Sequence, residues 1–285
     1  MRTAGLLAAL ALASAVGAQT VTLGGWGVPP GMAVCGSSGV VTYNQVFDVG
    51  GTDTVSTEGS IQATVCWSAF DVRDGRVVGA DETLVDWYAE EHLEGDPAGR
   101  SMPHPANGLP LRLTLGPDET WTARPRDREP TADEADYLAG TYTFELATEP
   151  PYPHEPVAVG DEWDVAFDAL NVWRGPLDET AENVYRVRLD SLGVLNGRQV
   201  AFLTETAAFT DLRSGGPTRF EQRWYVALDL ETKIVVASES SGTRDFSWES
   251  GPVGSAGRTQ LLTWIDARTE RGIVPEGEAP VGPSE

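Results

Sequence analysis

Three histidines, two cysteines and a large excess of carboxylates are the side chains of this 285-residue sequence that could do chemistry. His92, His104 and His154 stand far apart and show no H-E-x-x-H or related spacing, so a zinc site would need three distant loops to converge. His104 and His154 sit in the proline-rich stretches MPHPA and YPHEP. No G-x-S-x-G elbow is present, and in CGSSG, residues 35 to 39, the serines are out of register for a nucleophile. The carboxylate neighbours Glu90 and Glu91, Asp161 and Glu162, and Asp178 and Glu179 are adjacent in sequence. On a strand such neighbours point to opposite faces and share no site, so a solvated surface is expected of them.

Loop carboxylates and carbonyls are the preferred ligands of calcium. DVGGTD (48–53) and LDETAEN (177–183) are candidate loops, although neither has the EF-hand or the nonapeptide pattern. The expectation is therefore no cofactor, with a structural calcium as the alternative. Nine tryptophans raise carbohydrate stacking. Trp163 and Trp224 alternate in phase with Val, Phe and Leu and are expected in the core, whereas Trp26, Trp173 and Trp248 lie beside turns where a ring face could be exposed.

The formal charge is -23, and Lys233 is the only lysine among 20 basic residues. Phosphate recognition needs clustered positive charge, so neither nucleic acid nor an anionic membrane surface is an expected partner. Residues 1–18, MRTAGLLAALALASAVGA, have the form of a secretory signal peptide: Arg2 as charged n-region, Leu6 to Ala13 as apolar h-region, small residues in Val16-Gly17-Ala18. The mature chain is expected to begin at Gln19, without a lipid anchor, since no cysteine lies there, and without a membrane span. A periplasmic or extracellular location follows. In such an oxidising compartment Cys35 and Cys66 read as one disulfide.

The elements that must position these residues read as strands between turns. Leu109, Leu111, Leu113 and Leu115 alternate with polar residues or proline, and in RFEQRWYVALD (219–229) Phe220, Trp224, Val226 and Leu228 share one face. Asn196-Gly197 and Asp74-Gly75 are hairpin signals, and Asp229 to Thr232 is a further turn. Connections this short favour an antiparallel meander, forming a sandwich or a partly open barrel. Thr131 and Glu134 resemble a capping box for one short helix; VDWYAEEHLE (85–94) fits helix or strand. TQLLTWIDA is the expected final strand. One β-rich domain over 19–268 is expected, with a subdivision near 149–156 as an alternative, and 269–285 reads as a disordered tail.

In EPVAVGDEWDV (155–165), Gly160 and Asp161 signal a turn, and Trp163, Val165 and Phe167 are expected to begin a strand. P-V-A-V-G-D-E-W resembles the P-V-x-V-G-D-x-W signature of uncharacterised secreted or lipoprotein-like bacterial β-proteins. YVALDLETKIVVAS (225–238) is similar to their second element, a strand ending in D-x-x-T-x-x-V. The resemblance covers about residues 141 to 245, and the chain departs from it in having no lipobox cysteine. It implies a fold and no activity. The expected function is an exported, non-enzymatic β-protein that binds a ligand or protein partner in the cell envelope or outside the cell. A carbohydrate-binding module and a carboxylate-dependent glycoside hydrolase are the alternatives.

Overall fold

Turn chemistry fixes two of the hairpins. In the computed structural model, residues 19–49, 53–93, 99–101, 103–139, 149–174, 177–212, 218–250, 255–261 and 269–274 are described. Strands β1 (Thr20–Val21), β2 (Ala33–Val49), β3 (Asp53–Arg73), β4 (Arg76–Leu93), β5 (Arg100–Ser101), β6 (Pro110–Leu115) and β7 (Trp121–Pro125) precede helix α1 (Ala132–Ala139). Strands β8 (Val157–Ala158) and β9 (Glu162–Asp164) and helix α2 (Phe167–Arg174) follow. The chain continues through β10 (Val184–Leu195), β11 (Arg198–Asp211), β12 (Thr218–Asp229), β13 (Val235–Ser250), β14 (Ser255–Leu261) and β15 (Thr269–Val274). Asp74 and Gly75 have φ of 52° and 77°, and Asn196 and Gly197 have φ of 50° and 80°. Two consecutive left-handed residues make the two-residue hairpin turn whose twist matches the flanking strands.

The fold is all-β and antiparallel. Thirteen strands form one sheet in the order β7-β6-β4-β3-β2-β14-β13-β12-β11-β10-β9, with β5 beside β4 and β15 against both β2 and β13; β1 and β8 form a separate pair. The end strands β7 and β9 do not pair with each other, so the sheet is not closed into a barrel. Two meanders thus meet at β2, which pairs with β14 through Thr259 opposite Phe47 and with β15 through Gly272 opposite Cys35.

One core underlies the second meander, with Tyr185, Val187, Leu189, Leu203, Val226 and Leu228 buried together. Another underlies the first, with Val34, Trp67, Val77, Leu111, Leu113 and Ile234. The N-terminal segment ties the two together. Leu23 enters the first of these cores, whereas Val28 and Met32 enter the second. Between them the segment crosses the tips of two hairpins: Val28 N–H donates to Gly75 O at 3.0 Å, and the Lys233 ammonium donates to Thr22 O at 2.6 Å. Gly27 passes so close to the β12–β13 turn that a Cβ there would lie 2.2 Å from Glu231 O.

The sequence and the structure part at several places. The strand expected from Trp163 to Phe167 ends at Asp164, and Phe167 instead opens α2. The spacing of Phe167 and Leu170, with Asp168 in the first turn and Gly175-Pro176 beyond, is a helical pattern that the shorter alternation masks. Of the segment 85–94, residues 85–93 are strand, because they continue β4 alongside β3 as far as Leu93, and residue 94 lies outside the described residues. Residues 269–274 are not tail but β15, and β14 begins at Ser255, ahead of the expected final strand. The rest of that expected strand beyond Leu261, and residues 275–285, lie outside the described residues, as do 1–18. The capping box at α1 forms as read: Thr131 N–H donates to Glu134 Oε2 at 2.7 Å and Glu134 N–H to Thr131 Oγ1 at 3.4 Å. The Arg128 guanidinium also grips Glu134, whose carboxyl is pulled down to about 2 by that contact first and by Thr131 second.

Candidate functional site

Strand register places a set of side chains in rows across the outer face of β9 to β13, opposite the core. Glu162, Arg188, Thr204, Tyr225 and Glu239 are successive cross-strand partners, one from each strand. Two residues along the strands, Asp164, Arg186, Thr206 and Arg223 make a parallel row. On the other side of the Tyr225 row, Phe202, Ala227 and Ala237 make an apolar one. Rows on one face are spaced by two residues, or about 7 Å, so this face grades from apolar to cationic over roughly 14 Å.

The face is indented twice. A hollow of about 280 Å³ is lined by Glu162, Arg186, Arg188, Thr204, Thr206, Arg223 and Tyr225. A more apolar hollow of about 470 Å³ is lined by Leu195, Phe202, Tyr225, Ala227 and Ala237, with Asp190 and Glu239 at its sides. Tyr225 lines both and is 52 % exposed. The arginines are not equally committed. Arg186 holds Asp164 through two N–H groups at 2.6 and 3.1 Å and lies 3.4 Å from Glu162. Arg188 gives its Nε–H to Asp190 at 2.6 Å, which also accepts the Thr204 hydroxyl at 2.5 Å. Arg223 makes no hydrogen bond or ion pair among the described residues. Its guanidinium and the outer N–H groups of Arg188 are therefore the charged donors this hollow offers to a ligand.

The residues singled out by type are dispersed. Cys35 and Cys66 are bonded as a disulfide; they face each other across β2 and β3 with Cα atoms 4.1 Å apart. His104 lies between Trp87 and Tyr137, accepts the Ala106 N–H on Nδ1, and is pushed down by burial. His154 is 3.2 Å from Glu149, and the side chain of His92 lies outside the described residues. In the loop 177–183, Asp178 accepts the N–H and hydroxyl of Thr180, and Asn183 bonds Asp178 O, Ala181 O and Thr210 N. These ligands are occupied by the turn they build, and no cluster of three metal-ligating side chains occurs among the described residues. The loop 48–53 is described only at its ends. Of the tryptophans beside turns, Trp26 lines a hollow of about 490 Å³ with Arg73, Arg76 and Glu119, and the Arg76 guanidinium sits 5.8 Å over its ring. The side chains of Trp173 and Trp248 are outside the described residues.

One buried polar group escaped the sequence reading. Glu205 points into the core of the second meander and accepts the hydroxyls of Tyr152 and Tyr185. Its contact with Tyr152 fixes the proline-rich segment 149–156 to the sheet, and none of the hollows above is lined by these three residues. The alternation of TETAAF carries Glu205 on the apolar phase, a legible but unused signal.

No protein-family model and no curated protein matches the chain. Among solved structures it is similar to lipovitellin, described for lipid–protein interactions, at 10 % identity and a TM-score of 0.36 over 90 % of this chain. The chain spans 26 % of the length of that protein. It is also similar to DynF from the dynemicin biosynthesis pathway of Micromonospora chersina, at 10 % identity and a TM-score of 0.19, over 92 % of this chain and 90 % of that one.

Proposed function

We propose that this chain is an exported, non-enzymatic binding protein of the cell envelope or extracellular space, and that its ligand lies across the outer face of β10 to β13. The observation that supports this most is the pair of adjoining hollows, one apolar and one lined by three arginines, that share Tyr225. Pockets of this kind bind through apolar area and orient the ligand through a few polar groups. Export is supported by the leader-like residues 1–18 and by the disulfide. No helix among the described residues is long and apolar enough to cross a membrane.

The test is native mass spectrometry of the protein purified gently from an exporting host, with Tyr225→Ser beside the wild type. A bound small-molecule mass that the variant loses is the expected result. A bound mass retained by Tyr225→Ser moves the site elsewhere. Carbohydrate binding is a second reading, favoured by Trp26 in its arginine-lined hollow; glycan-array signal lost in Trp26→Ala would support it.

A further inference from the structure

Resting on the binding-face reading above, we infer that the ligand is a single-chain amphiphile with an anionic head, its chain over Phe202 and its head between Arg188 and Arg223. The apolar row Phe202–Ala227–Ala237 and the row holding Thr206 and Arg223 are four residues apart along the strands, or roughly 14 Å. A ligand filling both hollows must therefore change character along its length.

The head end is set by the donors that remain. Arg186 is held by Asp164 and Glu162, so it neutralises charge and offers little more. Arg188 and Arg223 flank β11 on β10 and β12 in adjacent rows, two strand spacings across and two residues along, which places their backbones about 12 Å apart. Long guanidinium side chains can close on a carboxylate or phosphate from both sides across that span, each with paired N–H groups. Thr206 lies between them and adds a hydroxyl.

Glu239, which would repel an anion, lines the apolar hollow but not the arginine hollow. In a chain of formal charge -23, this hollow is lined by three arginines and one carboxylate, and with Asp164 and Asp190 beside it the arginines bring the local charge to balance, leaving Arg223 without a carboxylate partner among the described residues.

The experiment holds the chain constant and changes the head. Dodecyl phosphate, dodecanoate, dodecanol and dodecyltrimethylammonium are titrated into the mature protein by calorimetry, below their micelle concentrations. The anionic pair should bind at least about tenfold more tightly than the cationic compound, the worth of one charge-assisted hydrogen bond. Arg223→Gln, which breaks no contact among the described residues, should remove that preference by weakening the anionic pair at least about tenfold and dodecanol far less. Phe202→Ser should weaken all four.

Shortening the chain should weaken binding by about fourfold per methylene. Equal binding of all heads, or a preference that survives Arg223→Gln and Arg188→Gln, overturns the anionic head while leaving the binding face in place. Failure of every amphiphile to bind the folded protein overturns the binding face itself.

Discussion

At the scale of single residues, the side chains that hold this molecule together are carboxylates placed where backbone N–H groups converge. Asp229 is the clearest. Almost wholly buried at the end of β12, it accepts the Arg198 guanidinium, the N–H groups of Glu231 and Thr232, and the Thr232 hydroxyl. The D-x-x-T spacing of LDLETK is thus a turn cap, a physical reason for its residues that involves no ligand. Burial pushes the Asp229 carboxyl up, but Arg198 and Thr232 together more than offset it, and the net direction is down. A depressed carboxyl contributes stability that is full above its ordinary 3.8 and is lost as the pH falls through the lower folded value. Asp229→Asn should destabilise the fold by about 3 kcal/mol at neutral pH, by urea unfolding, and should remove this part of the acid dependence. A loss below about 0.5 kcal/mol would assign the turn's stability to the backbone alone.

At the scale of elements, what could be read in advance was what neighbours in sequence decide. The turns Asp74-Gly75 and Asn196-Gly197 and the Thr131–Glu134 box depend on local bonds, and they form as their residues dictate. Helix α2 was hidden because its first apolar residue continues a two-residue rhythm from Trp163 and Val165. Strand β15 was hidden because TERGIV runs into the Gly-, Pro- and Glu-rich stretch 275–285, shows no clean alternation, and gains its structure from β2 and β13, which lie far away in sequence. The candidate site was illegible for the same reason. Arg186 and Arg188 alternate visibly in VYRVRLD, but nothing local says that Thr204, Thr206, Arg223 and Tyr225 stand beside them. The N-terminal segment also gains its structure at long range. Lys233 anchors it at Thr22 O, and burial pushes that ammonium's pKa down. Lys233→Met should cost roughly 1 kcal/mol and raise cleavage within residues 19–32 under limited proteolysis. Unchanged cleavage would show that Gly24, Val28 and Gly31, which bond the backbone, suffice.

At the scale of the whole molecule, two meanders share one sheet, and the disulfide lies on the strand where they join. Cys35 and Cys66 enclose a sequence separation of 31, for which chain entropy gives about 3–4 kcal/mol. Reduction should lower the unfolding midpoint accordingly, and a shift near zero would mean that the β2–β3 pairing already limits the unfolded chain. The same join has a consequence in time. A chain synthesised from its N-terminus presents residues 20–49 first, yet the partners of this stretch include Ala158, Lys233, Thr259 and Gly272. Residues 20–49 are therefore obliged to wait for partners more than a hundred positions later, with the edge of β2 away from β3 uncovered meanwhile. Assembly in that order is slow by topology and exposed to mispairing with other copies.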